Sequence, residues 1–100
     1  MKTINVTELN KLIQSNADFQ LVDVREPDEH EEFNIGGLLI PLETVTRNIE
    51  LFDKEKPVVV YCRRGVRSQI AIQRLQRKHP FQNLINLTGG MQEWKKEFGV

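Results

Sequence analysis

The chain has 100 residues, of which 39% are hydrophobic and 28% charged, an ordinary composition for one globular domain with a single modest core. Its 14 Lys/Arg balance 14 Asp/Glu. Zero net charge, with basic residues that are not interleaved with aromatics, argues against a nucleic-acid-binding protein, and no apolar stretch approaches the length of a membrane span. Cys62 is the only cysteine, so no internal disulfide can form and a reduced, cytoplasmic setting is expected. The first residues lack the long apolar segment of a signal peptide. The halves differ in charge: residues 1–50 carry four Lys/Arg and ten Asp/Glu (−6), and residues 51–100 carry ten and four (+6). This reads most simply as two solvated faces, and more sharply as a basic region near Cys62 that steers anions. A monomer is the default for such a domain, although the −6/+6 split could support head-to-tail association.

Lys2–Val6 reads as a short strand, and Thr7 as the N-cap of a helix over Glu8–Ser15 with Leu9, Leu12 and Ile13 on one face. Phe19–Val24 reads as a buried strand, and Pro27 suits the first turn of a short helix reaching Glu32. Gly36-Gly37 breaks the chain before an extended piece at Leu38–Ile40. Leu42–Asn48 is expected to be a helix, continued or loosely extended to Phe52. Val58–Tyr61 is an apolar strand after Pro57, and Val66–Lys78 is the longest helix, stopped at His79-Pro80. Leu84–Leu87 is the last strand, and Gly89-Gly90 leads into a helix over Met91–Phe98. Strands alternating with helices predict an α/β fold: a mainly parallel central sheet of about five strands with helices on both faces, built by residues 1–100 as one domain. In such sheets ligands bind beyond the carboxyl ends of the strands.

Cys62 lies at such an end. The run Val58-Val59-Val60-Tyr61-Cys62-Arg63-Arg64-Gly65-Val66-Arg67-Ser68 is a strand, a loop with a glycine and three arginines, and then a helix start. A helix N-terminus offers unpaired N–H groups and the positive end of the helix dipole. These hold anions, and a cysteine placed there can act as a nucleophile in its thiolate form. The substrate predicted for this arrangement is a small anion attacked by sulfur. Gly65 permits a turn with positive φ, and Ser68 would cap the helix or close the loop. An arginine fork matches an oxyanion, and Arg67 is the best placed candidate of the three. Arg63 and Arg64 are adjacent, which makes it hard for both to face one cradle.

Four segments in register resemble the rhodanese family. Val22-Asp23-Val24-Arg25-Glu26 with Glu29 is similar to the family's Asp-Val-Arg-x-x-x-Glu stretch, and Phe33-Asn34-Ile35-Gly36-Gly37 with Ile40-Pro41-Leu42 to its Gly-His-Ile-x-Gly-Ala…Ile-Pro-Leu segment. The Cys62–Ser68 stretch is similar to its catalytic loop, and Leu87-Thr88-Gly89-Gly90-Met91 with Trp94 to its Gly-Gly-x-x-x-Trp. Phe33-Asn34 and Gly37-Leu38 depart from the pattern, outside the cysteine loop. The resemblance implies the family's α/β fold and a sulfurtransferase. The loop Cys62–Arg67 has six residues, the length of the family's sulfurtransferases, whereas its phosphatase-like relatives use seven. Phosphatases also place an arginine six positions after the cysteine, where this chain has Ser68.

The implied mechanism is double displacement through a Cys62 persulfide, from a small anionic donor such as thiosulfate to a thiol, protein or cyanide acceptor. Cys62 is the implied catalytic residue. Arg63, Arg64, Gly65, Val66, Arg67 and Ser68 are the expected substrate-binding loop, with their backbone N–H groups forming an anion nest. Asp23 and Arg25 are expected to support the site by pinning neighbouring loops. His30, among carboxylates, reads as solvated, and His79 as a helix-end residue. Trp94 and Phe98, four apart, read as core packing. No residue set has metal-ligand spacing, and no cofactor is expected. The main alternative is a sulfur-carrier or interaction module acting only with a protein partner. A silent domain and a phosphatase or arsenate reductase are less favoured.

Overall fold

A computed structural model describes all 100 residues. Five strands form one all-parallel sheet: β1 (Lys2–Ile4), β2 (Gln20–Asp23), β3 (Leu38–Leu39), β4 (Val58–Tyr61) and β5 (Leu84–Leu87), in the spatial order β1-β5-β4-β2-β3. Three helices connect strands, α1 (Val6–Gln14), α2 (Pro27–Glu32) and α3 (Val66–Lys78), and a fourth, α4 (Gly90–Phe98), follows β5. The α/β architecture with helices on both faces is as expected from the alternating pattern.

Strand β4 is central and buried on both faces, which is why it reads as an unbroken β-branched run. Its alternate residues divide the core. Val58, Val60 and Cys62 join Ala71, Ile72 and Leu75 of α3, with Ile40, Val45 and Phe52 beside them. Val59 and Tyr61 face the other way, onto Val6 and Leu9 of α1 and Met91 of α4. Cys62 therefore leaves the sheet on the α3 face, directly before the turn into that helix.

Two helical expectations are corrected. The first helix begins earlier than Glu8: Asn5, not Thr7, is the N-cap. Its Oδ1 accepts from the Glu8 N–H at 2.8 Å, and Glu8 Oε1 accepts from the Asn5 N–H at 3.0 Å, a reciprocal capping box. Asparagine is as good a cap as threonine, and this box needs the glutamate three positions on. Leu42–Asn48 is not an α-helix. It is a 3-10 turn at Leu42–Thr44, with a second at Ile49–Leu51. Leu42 and Val45, three positions apart, both lie in the α3-side core, as side chains three apart eclipse in a 3-10 turn, and Phe52 joins them after the second turn.

Strands β2 and β4 are neighbours, but the chain leaves β2 toward β3 and leaves β4 toward β5. The crevice between their carboxyl ends is thus the point where strand order reverses, the usual ligand position in an open parallel sheet. Asp23 ends β2 there, Tyr61 ends β4, and the two are paired in register. No helix is long and apolar enough to cross a membrane.

Candidate active site

Gly65 has φ +97° and serves as the N-cap of α3 with no side chain to cap it. The sulfur of Cys62 takes the capping place. Sγ accepts the Gly65 N–H at 3.1 Å and the Ser68 N–H, the third amide of the helix, at 3.4 Å. Two donors that would otherwise be orphaned at a helix start therefore point at one sulfur atom. Of the anion nest expected from Arg63 to Ser68, these are the two amides that reach Sγ. The first turn of α3 contains no acid and does contain Arg67, the reverse of the charge that the helix dipole favours in an isolated helix. The positive potential is left for an anion at the sulfur to satisfy.

Behind the sulfur lies a polar chain. Ser68 is wholly buried, and its hydroxyl donates to Asn86 Oδ1 while lying 3.4 Å from Cys62 Sγ. Asn86 Nδ2 donates to the Gly65 carbonyl at 3.3 Å, which closes the ring through the loop. Ser68 thus closes the loop, one of its two expected roles, and does not occupy the N-cap. Asn86 was missed by the sequence reading. The available signal was one polar residue inside the apolar strand Leu84-Ile85-Asn86-Leu87, buried at 2% exposure.

The loop is also held from α4. The Met91 and Gln92 N–H groups donate to the carbonyls of Cys62 (2.9 Å) and Arg63 (2.8 Å). The free amides of a second helix start thereby bind the back of the loop.

Asp23 and Arg25 form a buried ion pair. Arg25 Nε lies 3.0 and 3.1 Å from the two Asp23 oxygens, and Nη2 reaches Oδ2 at 2.8 Å and the Phe33 carbonyl at 2.6 Å. The guanidinium also stands 5.6 Å from the Tyr61 ring centroid. Burial is the main cause that pushes the Tyr61 phenol up to about 12. The expected solvated His30 is corrected: its Nδ1 lies 2.8 Å from Asp23 Oδ2. The i, i+7 spacing across a strand end and a helix turn gave no local sign of this contact.

Three arginines follow Cys62, and the fold gives them different partners. Arg63, Arg64 and Arg67 all border one cleft of about 390 Å³ with Cys62 and Val66, so adjacency does not keep Arg63 and Arg64 apart. Neither Arg63 nor Arg64 is paired with a carboxylate. Arg67 makes a two-pronged ion pair with Glu29 of α2, Nη1 to Oε1 at 2.7 Å and Nη2 to Oε2 at 2.9 Å. The Arg67 hydrogen bond holds the Glu29 carboxyl down at about 2, and Glu29 in turn raises the Arg67 guanidinium. Arg63 also borders a second cleft of about 390 Å³ with Arg25, Glu29, Glu32, Phe33 and Lys95. Trp94 and Phe98 do pack together, with ring centroids 4.4 Å apart and planes tilted by 50°, but Phe98 is 36% exposed and lies at the core's margin.

The comparisons agree with this geometry. Residues 5–97 match the family model described as Rhodanese-like domain. The thiosulfate sulfurtransferase GlpE of Coxiella burnetii is 36% identical over 95 residues, covering 94% of this chain and 87% of that protein. The adenylyltransferase and sulfurtransferase MOCS3-1 of Drosophila pseudoobscura is 33% identical over 99 residues, covering 91% of this chain but 22% of that protein. Among solved structures, a rhodanese-like domain protein from Staphylococcus aureus superposes with a TM-score of 0.85 at 32% identity, covering 94% of this chain and 91% of that one. With its parallel sheet, its cysteine at the end of the central strand and a family match over nearly its whole length, this chain belongs to the rhodanese-like domain family.

Proposed function

We propose that this protein is a sulfurtransferase that moves a sulfane sulfur atom through a persulfide on Cys62. The observation that carries the reading is the sulfur of Cys62 accepting N–H groups from Gly65 and Ser68 at the start of α3. Such donors stabilise negative charge on sulfur without a general base, and they serve the thiolate and the persulfide anion alike.

In the first half-reaction the Cys62 thiolate attacks the outer sulfur of thiosulfate. A new S–S bond forms, the old one breaks, and sulfite leaves with its electron pair. In the second, a thiolate or cyanide attacks the outer persulfide sulfur, and the Cys62 thiolate leaves. The two steps balance without any further oxidant or reductant. The unpaired guanidinium groups of Arg63 and Arg64 draw the donor anion into the cleft, and the Ser68–Asn86 chain keeps the loop in the shape that aims both amides at sulfur. Asp23 and Arg25 act one layer back, holding the ends of the neighbouring segments.

Mass spectrometry of the intact chain after thiosulfate, then after cyanide, tests this. A gain of one sulfur atom that cyanide removes, absent in Cys62→Ser, is the expected result. No gain sinks thiosulfate as the donor. The second reading is a carrier module loaded and unloaded only by a protein partner. It is favoured by the match to a stretch that makes up only 22% of a larger sulfurtransferase. Persulfide that appears with a donor enzyme, but not with thiosulfate, would select it.

A further inference from the structure

Arg67 was the arginine best placed by sequence to grip an anionic donor, yet the fold spends both of its terminal nitrogens on Glu29. Glu29 is held there from two sides. Its Oε1 also accepts the Glu26 N–H at 3.1 Å, so the capping box of α2 orients the carboxylate toward the loop. The pair is not sealed off: the side chains of Arg67 and Glu29 are 32% and 27% exposed. Arg67 borders the cleft that contains Cys62, and Glu29 borders the adjoining one. A carboxylate therefore sits at the rim of the cleft whose charged lining is Arg63, Arg64 and Arg67, and pairs with Arg67 at the start of α3.

We propose that Glu29 sets the donor preference of this site by charge, holding Arg67 as an ion pair so that a singly charged sulfur donor is favoured over dianionic thiosulfate. This rests on the sulfur-transfer reading above. A dianion entering the cleft meets Arg63 and Arg64, but to use Arg67 it must displace a bidentate carboxylate that also repels it. A monoanion needs less positive potential and loses less by leaving the pair intact. Glu29 acts through Arg67 and through its own field, and is a positioning residue.

Two donors that differ in charge but share the chemistry provide the test: thiosulfate, a dianion that releases sulfite, and methanethiosulfonate, a monoanion that releases methanesulfinate. Cyanide is the acceptor for both. In Glu29→Gln the ratio of kcat/KM for thiosulfate to that for methanethiosulfonate should rise about tenfold, equivalent to about 1.4 kcal/mol. The gain should lie mainly in the thiosulfate KM, and it should shrink as salt is added because a freed surface cation is screened. Arg67→Gln should cost thiosulfate turnover more in the Glu29→Gln background than in the wild type, where Arg67 is already occupied. A role of Glu29 confined to tying α2 to the loop would move both donors together and leave the ratio and its salt dependence unchanged, which overturns the proposal. Should Glu29→Gln fail to fold, Glu29→Asp decides, because its shorter carboxylate withdraws from the two-pronged pair and leaves Arg67 easier for a dianion to reach: a rise in the thiosulfate ratio supports the proposal, and an unchanged ratio overturns it. A wild-type chain that neither donor loads with sulfur overturns the transfer reading and this proposal with it, whereas a chain that loads normally but shows no change in ratio overturns the proposal alone.

Discussion

The carbonyl oxygen of Cys62 occupies the space that a side chain on Gly90 would need. A Cβ at Gly90 would lie 2.3 Å from that oxygen and 2.8 Å from the carbonyl carbon and oxygen of Arg63. All three are backbone atoms of the loop, so none can swing aside as a side-chain tip could. Gly90 also has φ +54°, in the region that glycine tolerates best. The contact lets the first amides of α4 reach the Cys62 and Arg63 carbonyls, so the glycine pair before α4 shapes the site from behind.

Gly90→Ala must therefore push α4 away from the loop or distort the loop itself. We expect a loss of about 3 kcal/mol of stability from the clash together with the left-handed backbone, read from the midpoint of urea unfolding. The folded fraction should load sulfur more slowly, because the Cys62 turn moves with its carbonyl.

Asn86→Ala removes the partner of the Ser68 hydroxyl and of the Gly65 carbonyl, both inside the protein. The Gly65 carbonyl is left without its side-chain partner and the Ser68 hydroxyl with only the weakly accepting Cys62 sulfur, which should cost about 2–4 kcal/mol, also read by urea unfolding. Persulfide formation should fall further than in an equally destabilised variant remote from the loop, such as Leu9→Ala in the opposite core. Equal losses in the two would show that Asn86 serves stability alone.

Asp23→Asn keeps the shape of the side chain but leaves the Arg25 guanidinium buried without a counter-charge. Breaking a buried pair from one side costs about 3–5 kcal/mol, so the variant should unfold at markedly lower urea. His30 loses its carboxylate in the same change.

Glu29 titrates near 2 when folded, against an ordinary 4.5, chiefly because of the Arg67 hydrogen bond. A depressed folded value means that the ionised group stabilises the native state above the unfolded value and that this contribution is lost as pH falls from 4.5 toward 2. The pair is partly solvated, so the contribution is about 1 kcal/mol after screening. Wild type should thus lose more stability than Glu29→Gln between pH 6 and pH 3, about the window set by the shift. Identical acid profiles for the two would show that the ion pair does not form in solution.

Much of the fold could be read locally. The β-branched run of β4, the positive-φ glycine after Cys62 and the apolar periodicity of α3 each depend on neighbours along the chain. That is why the strand–loop–helix around Cys62 was legible, together with the parallel sheet that the alternating pattern implies. The helix expected at Leu42–Asn48 is replaced by 3-10 turns whose residues Leu42, Val45 and Phe52 pack on α3-side core residues far along the chain, which nothing in the local sequence displays.

The amino-acid sequence by itself determined where Cys62 stands, because a thiol at the end of a buried strand, followed by a glycine turn and a helix start, is defined by adjacent residues. Only the tertiary structure decided what surrounds it. Arg67 meets Glu29 across 38 positions and Ser68 meets Asn86 across 18, both through hydrogen bonds whose partners have no fixed spacing in the chain. Gly90 closes on the Cys62 carbonyl only because β4 and β5 are paired side by side. Hydrogen bonds and packing act over a few ångströms in space, and the folding of the sheet is what converts distance along the chain into that contact.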